Sequence, residues 1–257
     1  MAFYEWTEVL LSEWSSESLS AWSEFSAEGT LNQLWRDESY VYVATSLGLD
    51  IIELATQNKV SYILYNGGFT TVWSSSDYVY LGTSSAGIKY LDKGDILEDA
   101  VEPVNISSIL NDYNYFYNVS VSKIKHLHGK DTTLMVITSS GIDIIDNGAS
   151  KPFKSTFNNT NVTKGFMMDN YSFYYVLQNS TTDGIFRMNS AYCDWDTPDV
   201  SYLTGGGFIP PSLDINDIFV TASTSVNTVD NTLFVATTAG VLVLDEGTSE
   251  FDAYYTK

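Results

Sequence analysis

One cysteine, Cys193, stands in the whole chain, so no internal disulfide can form and a small stapled secreted fold is excluded. Histidine is nearly as scarce, with His126 and His128 alone. Against 32 acidic residues there are 12 basic ones, a formal charge of −20. A protein that grips DNA or RNA needs cations to displace counterions from phosphates, and one that adheres to anionic lipid needs them too, so neither partner is expected. No apolar run approaches the length of a membrane span. The first residues carry Glu5, Glu8, Glu13 and Glu17 with no Lys or Arg, unlike a secretory signal, and the expectation is a soluble protein made in a cytoplasm. Signatures of catalysis are missing as well: there is no G-x-S-x-G, P-loop, G-x-G-x-x-G or H-E-x-x-H. Gly205, Gly206 and Gly207 run into Phe-Ile-Pro-Pro, so they read as a junction and not as a phosphate cradle.

What the chain does have is repetition. YVYVATSLGLDIIEL (Tyr40 to Leu54) returns in variation as YVYLGTSSAGIKYL (Tyr78 to Leu91), LMVITSSGIDII (Leu134 to Ile145), FYYVLQNSTTDGIFRM (Phe173 to Met188) and LFVATTAGVLVL (Leu233 to Leu244). Each is an apolar run of aromatic and β-branched residues, a Thr/Ser/Gly turn and a second apolar run, which is the chemistry of a β-hairpin. Trp35 and Tyr40-Val-Tyr match Trp73 and Tyr78-Val-Tyr at a constant offset of 38 residues. The turn glycines Gly48, Gly87, Gly141, Gly184 and Gly240 mark five units, and several units open on a Gly-Phe pair: Gly68-Phe69, Gly165-Phe166 and Gly207-Phe208. Each hairpin has room for one strand before it and one after. Val60 to Tyr65, Pro152 to Phe157 and Phe251 to Tyr255 are candidates for the trailing strand.

Units of about 40 residues with four short strands are the signature of β-propeller blades, which must stack because one small sheet cannot cover both of its faces. The expected fold is all-β: a five-bladed β-propeller over 29–257, with approximate blades 29–66, 67–104, 105–161, 162–205 and 206–257. A β-sandwich of the same strands is the alternative. Residues 1–28 stand apart as an extended N-terminal arm. Read in eights they place Trp6, Trp14 and Trp22 in one column, and an even period puts all three on one side of an extended strand. Such an arm either lies along its own domain or docks on a partner, with the Trp side chains as anchors.

Two resemblances follow. LWRDESYVYVATSLGLDIIE and VWSSSDYVYLGTSSAGIKYLD resemble the short propeller repeats of sensor-type proteins, with Tyr42, Tyr80, Met135 and Phe234 standing where that family carries a strand Trp. The octads of the arm resemble acidic Trp-Ser-Glu repeats of bacteriophage tail and adhesin-associated proteins. That likeness implies a structural virion component, present in multiple symmetric copies. Its partners would be other virion structural proteins, and it would need no cofactor.

Candidate chemistry is thin. His126 and His128 form an H-x-H on one face of a strand, without a third ligand at a recognised spacing, and are expected as a surface or strand-edge pair; no metal site is expected. Asp50 and Asp143 hold the same place after their turn glycines and are expected as solvated positions on an outer strand. Trp35 and Trp73 are expected to pack between blades. No catalytic residue is assigned. The candidate contacts are Trp6, Trp14 and Trp22 for a protein partner, and Tyr113, Tyr115 and Tyr117 in the loop NDYNYFYN. That loop also keeps open the alternative of a lectin-like or sensor-like module holding a glycan or small ligand.

Overall fold

The structure is a computed structural model. It describes residues 27, 29–96, 110–112, 123–130, 133–146, 153–158, 161–168, 172–178, 184–189, 199–202, 214–221, 232–238, 240–245 and 250–256. Among these residues the fold is all-β apart from one 3-10 turn at Lys93–Asp95. No described helix is long and apolar enough to cross a membrane.

Five four-stranded antiparallel sheets follow one another along the chain. The first holds β1 (Leu31–Arg36), β2 (Tyr40–Thr45), β3 (Gly48–Glu53) and β4 (Lys59–Leu64). The second holds β5 (Thr71–Ser74), β6 (Tyr78–Gly82), β7 (Ile88–Asp92) and β8 (Asn111–Asp112), so its last strand lies beyond residue 104. The third is β9 (Ile124–Lys130), β10 (Thr133–Thr138), β11 (Gly141–Asp146) and β12 (Phe153–Asn158). The fourth is β13 (Val162–Met167), β14 (Ser172–Leu177), β15 (Gly184–Asn189) and β16 (Asp199–Tyr202). The fifth is β17 (Ile215–Thr221), β18 (Thr232–Thr237), β19 (Gly240–Asp245) and β20 (Glu250–Thr256). The hairpins expected from sequence form the middle of every sheet, and the three expected trailing strands are β4, β12 and β20.

The turns show why Thr and Gly recur. Thr45 Oγ1 accepts from the backbone N–H of Leu47 and Gly48 and donates to the Gly48 carbonyl, closing the turn with its own side chain. Thr83 does the same, accepting from Ala86 N at 2.7 Å and donating to Gly87 O at 2.8 Å. Thr138 and Thr237 likewise donate to the carbonyls of Gly141 and Gly240. Gly87 has φ 71°, a left-handed backbone that a side chain disfavours. At Gly48 a Cβ would sit 1.9 Å from the Ile63 carbonyl, so the close approach of β4 there requires glycine.

The sheets stack in sequence order through four apolar cores. Tyr42, Ala44, Leu49 and Ile51 of the first meet Val72, Val79, Leu81 and Leu91 of the second. Trp73, Tyr80 and Ile88, on the other face of the second, meet Leu127, Leu134, Val136 and Ile145 of the third. Met135, Ile137, Ile142 and Ile144 then face Met167, Phe173, Tyr175 and Leu177. Tyr174, Val176 and Ile185 finally face Ile218, Val220, Leu233, Val235 and Leu242. Both faces of each middle sheet are therefore covered, and apolar residues occupy both sides of its strands.

Candidate functional site

The first strands of the five sheets lie side by side in the order β1, β5, β9, β13, β17. Their pairing with the second strands aligns five short segments: LNQLW (31–35), FTTVW (69–73), IKHLH (124–128), VTKGF (162–166) and INDIF (215–219). Trp35 opposes Tyr42, Trp73 opposes Tyr80, His128 opposes Met135, Phe166 opposes Tyr174 and Phe219 opposes Phe234. Each of those partners lies two or three residues before the end of its strand's pairing in the hairpin. One residue type pattern thus recurs: apolar, polar, polar, apolar or glycine, then a ring.

The second position of this pattern bridges sheets. Register shifts in β1, β9, β13 and β17 leave Asn32, Lys125, Thr163 and Asn216 as bulge residues, and a bulge re-aims its side chain out of the normal alternation. Asn32 Nδ2 donates to Phe69 O at 2.7 Å, Thr70 Oγ1 to Ile124 O at 2.6 Å, and Lys125 Nζ to Val162 O at 3.0 Å. Each bridge runs from one sheet to the first residue of the next segment. Thr163 Oγ1 is buried at the corresponding place and makes no hydrogen bond among the described residues.

The third position forms a polar belt of Gln33, Thr71, His126, Lys164 and Asp217. Thr71 Oγ1 donates to Gln33 Oε1, which also accepts from Val72 N at 3.1 Å, and Leu127 N donates to Thr71 Oγ1 at 2.9 Å. Burial pushes the His126 imidazole well below its ordinary pKa, with the Lys164 and His128 charges adding to the effect and a hydrogen bond to the Gly165 backbone opposing it. Burial raises the Asp217 carboxyl, while Lys164 and a hydrogen bond from Ile218 N at 3.0 Å act against that rise.

The fifth position carries rings that meet across the sheets. Trp35 lies 6.4 Å from Trp73 and meets His128 edge-on at 4.9 Å, so a side chain of the first sheet reaches the third past the second. That contact shows that the first strands of the first three sheets converge. His128 stacks obliquely on Phe166 at 4.0 Å, and Phe166 meets Phe219 at 5.5 Å. Trp73 stacks on Tyr80 at 5.5 Å. His128 Nδ1 accepts from Met167 N at 3.0 Å, which places the imidazole proton on Nε2. Burial, with a smaller contribution from Lys130, brings its pKa down to about 3.

A second cluster clamps the first sheet to the second. Asp37 Oδ1 accepts from the N–H groups of Ser39 and Tyr40, and its Oδ2 takes the Tyr42 hydroxyl, Ser74 Oγ and the Lys93 ammonium at 2.5 Å. Trp35 Nε1 donates to Ser74 Oγ at 3.1 Å, joining clamp and rings. Burial works against ionisation of Asp37, but Lys93 and the two backbone donors hold it below the usual carboxylate value.

Several expectations change here. His126 and His128 do lie on an edge strand, β9, but they are not surface residues: they are 2% and 4% exposed, packed between neighbouring sheets. Asp50 and Asp143 are not solvated either. Asp50 is 1% exposed and pairs with Lys59 of the adjacent strand β4 at 3.0 Å. Trp35 and Trp73 do pack between sheets as expected. Trp6, Trp14 and Trp22, and Tyr113, Tyr115 and Tyr117, lie outside the described residues. No group of three or more His, Cys, Asp and Glu side chains among the described residues is disposed to hold a metal ion.

No family model matches the chain, and no curated protein matches it. Solved structures do. The WD40 beta propeller domain of Doa1 is similar with a TM-score of 0.54 at 11% identity, covering 91% of this chain and 71% of that one. The fold is propeller-like. The extracellular domain of BT4673 from B. thetaiotaomicron, described as a hybrid two component system, gives a TM-score of 0.57 at 15% identity over 88% of this chain. The N-terminal domain of Nup159 gives 0.52 at 10% identity over 86%. This chain spans 30% of the BT4673 chain and 61% of the Nup159 chain. At these identities the likeness is one of fold alone.

Proposed function

We propose that this chain is a non-catalytic docking protein: a five-bladed β-propeller attached through residues 1–28 to structural proteins of a bacteriophage particle. The observation that carries the reading is the packing of the convergent first strands. Trp35, Trp73, His128, Phe166 and Phe219 form a run of ring contacts across the first strands, and beneath them Gln33 and Thr71 spend hydrogen bonds on neighbouring strands. Side chains committed in this way leave the outer surfaces and the amino-terminal segment for recognition. In that segment Trp6, Trp14 and Trp22 recur every eight residues, and large indole anchors in repeated pockets dominate the energetics of interfaces. The acidic balance suits a protein that sits near nucleic acid without adhering to it.

The test is removal of residues 1–28, alongside a Trp6→Ala, Trp14→Ala, Trp22→Ala triple variant of the full chain. Incorporation into particles, followed by co-sedimentation, is expected to be lost in both, with the β-sheet circular dichroism and melting curve retained. Incorporation by the truncated chain would refute the docking arm. Glycan binding that survives truncation and disappears on changing Tyr113, Tyr115 and Tyr117 to Ala would favour a lectin-like module instead.

A further inference from the structure

β5, β9 and β13 are each the end strand of their sheet, and an end strand carries backbone N–H and C=O groups that its own sheet leaves unpaired. Side chains of the preceding sheet cover such groups at each joint. Gln33 Oε1 accepts from Val72 N, and Thr71 Oγ1 accepts from Leu127 N. On β13 the same role falls to two histidines. His126 hydrogen-bonds to the Gly165 backbone, and one step along the strand His128 Nδ1 accepts from Met167 N at 3.0 Å. Amide and hydroxyl oxygens accept at any ordinary pH. An imidazole nitrogen accepts only while it is unprotonated.

The charges around the two rings are cationic. Lys125 and Lys130 share β9 with them, and Lys164 stands on β13. β5, β10 and β14 carry no charged residue, and Tyr175 of β14 stays neutral because burial pushes its hydroxyl up to about 12. β1 reaches His128 through Trp35. On β11, Ile142 and Ile144 face this joint, whereas Asp143 opposes Val136 on the side of the second sheet. The belt's one carboxyl, Asp217 on β17, comes after Lys164. A proton on His128 Nδ1 therefore confronts the Met167 N–H it displaces and meets like charges in its surroundings.

We infer that the joint between the third and fourth sheets is an acid-released catch: protonation of His128, with His126 beside it, breaks the bond to Met167 and parts the fourth and fifth sheets from the first three, whose own joints stay closed. Those joints are held by Asn32, Gln33, Thr70 and Thr71, none of which titrates. Burial sets both imidazoles well below their ordinary range while the joint is shut. The parted joint wets the rings, which then take up protons near pH 6.5 that the closed joint refuses. The catch is fully closed above that value and weakens as pH falls below it.

The amides of Val72, Leu127 and Met167 test this within one molecule, since each is bonded to a side chain of the preceding sheet. Their hydrogen exchange in the full chain is followed by NMR at pH 7.5 and 5.0, each rate divided by that of an unstructured peptide at the same pH. Protection of Met167 is expected to fall by about 30-fold at the lower pH, the excess of protonated over neutral imidazole for one ring that titrates near 6.5. Val72 and Leu127 are expected to keep theirs. Peroxide oxidation of Met135 and Met167, both buried in this joint, is expected to quicken over the same interval relative to a free methionyl peptide in the sample. His128→Gln, which keeps an acceptor that does not titrate, is expected to remove most of the response. A loss shared equally by all three amides is general unfolding and overturns the catch, as does a Met167 amide that keeps its protection. Loss at Met167 with both methionines still closed to peroxide overturns the parting of the sheets. A full response retained by His128→Gln overturns the part given to His128. If that variant does not fold, the amides and methionines of the unaltered chain decide.

Discussion

The seams among the first three sheets and the seam between the fourth and fifth are built on one register with different chemistry. In the former, Asn32, Thr70, Gln33 and Thr71 stitch strand to strand with hydrogen bonds, and Asp37 and Lys93 add a clamp. In the latter, Thr163 stands at a bridging position with its hydroxyl unpaired among the described residues, and the joint rests on Tyr174, Val176, Leu233 and Val235. Apolar burial supplies attraction without direction, whereas each stitch fixes a sheet's height and angle against the next. The same repeat can thus be held by specification at one end and by adhesion at the other.

Substitutions that remove one kind of joint break this comparison. The largest effect is expected at Trp73, 4% exposed between Trp35 and Tyr80. Trp73→Ala should cost about 3–5 kcal/mol in urea unfolding, whereas Phe219→Ala should cost about 1 kcal/mol or less because Phe219 is half in solvent. Equal losses would contradict the contrast between the two ends.

Acid comes next. His126 and His128 are held neutral by burial in the third sheet, so the unfolded chain, with imidazoles near 6.5, takes up protons the folded chain refuses. Their contribution is complete above pH 6.5. It is lost as pH falls below that, by up to about 1.4 kcal/mol per pH unit for each histidine, and for His128 the loss continues toward pH 3. Urea midpoints at pH 7, 6 and 5 measure the slope, and His128→Phe should flatten it. A slope unchanged by that substitution would remove His128 from the account.

A pair of identical changes then sharpens the contrast. Thr71→Val strips Gln33 of a donor and leaves Leu127 N–H buried without its acceptor, a loss of about 1–3 kcal/mol. Thr163→Val deletes a hydroxyl with no described partner and should be neutral or stabilise by up to about 1 kcal/mol. Chemical denaturation of the two variants side by side decides it. The smallest effect belongs to Lys93→Met. The Asp37–Lys93 pair is partly exposed and screened, so about 1 kcal/mol or less should be lost, and less still in 1 M salt.

Much of the architecture was legible because it is written in apolar periodicity. The five hairpins, their Thr and Gly turns and the trailing strands β4, β12 and β20 follow from runs such as YVYVAT and GLDIIE. The convergent segments were harder to see. Gln33, Thr71, His126, Lys164 and Asp217 share a position and no chemistry, and a bulge offsets most of them from the strands that follow. At the ring position Trp35 matches Trp73 and Phe166 matches Phe219, with His128 between them. The burial of the two histidines and of Asp50 escapes the sequence for one reason: alternation of polar and apolar residues indicates solvent only where a sheet has a wet face, and the faces that carry these residues are covered. Stacking itself was read from the repeat, but what stacking does to a polar residue on an outer strand depends on a partner such as Lys59, which no spacing announces.

Among the described residues each sheet is assembled from four strands consecutive in the chain, and none of these strands is lent to another sheet. A ribosome therefore releases finished units in order, and the stitched joints near the amino terminus can set while the carboxy-terminal half is still being translated. Whatever joins last does so with a scaffold already waiting for it, so the direction of synthesis is also the direction of assembly.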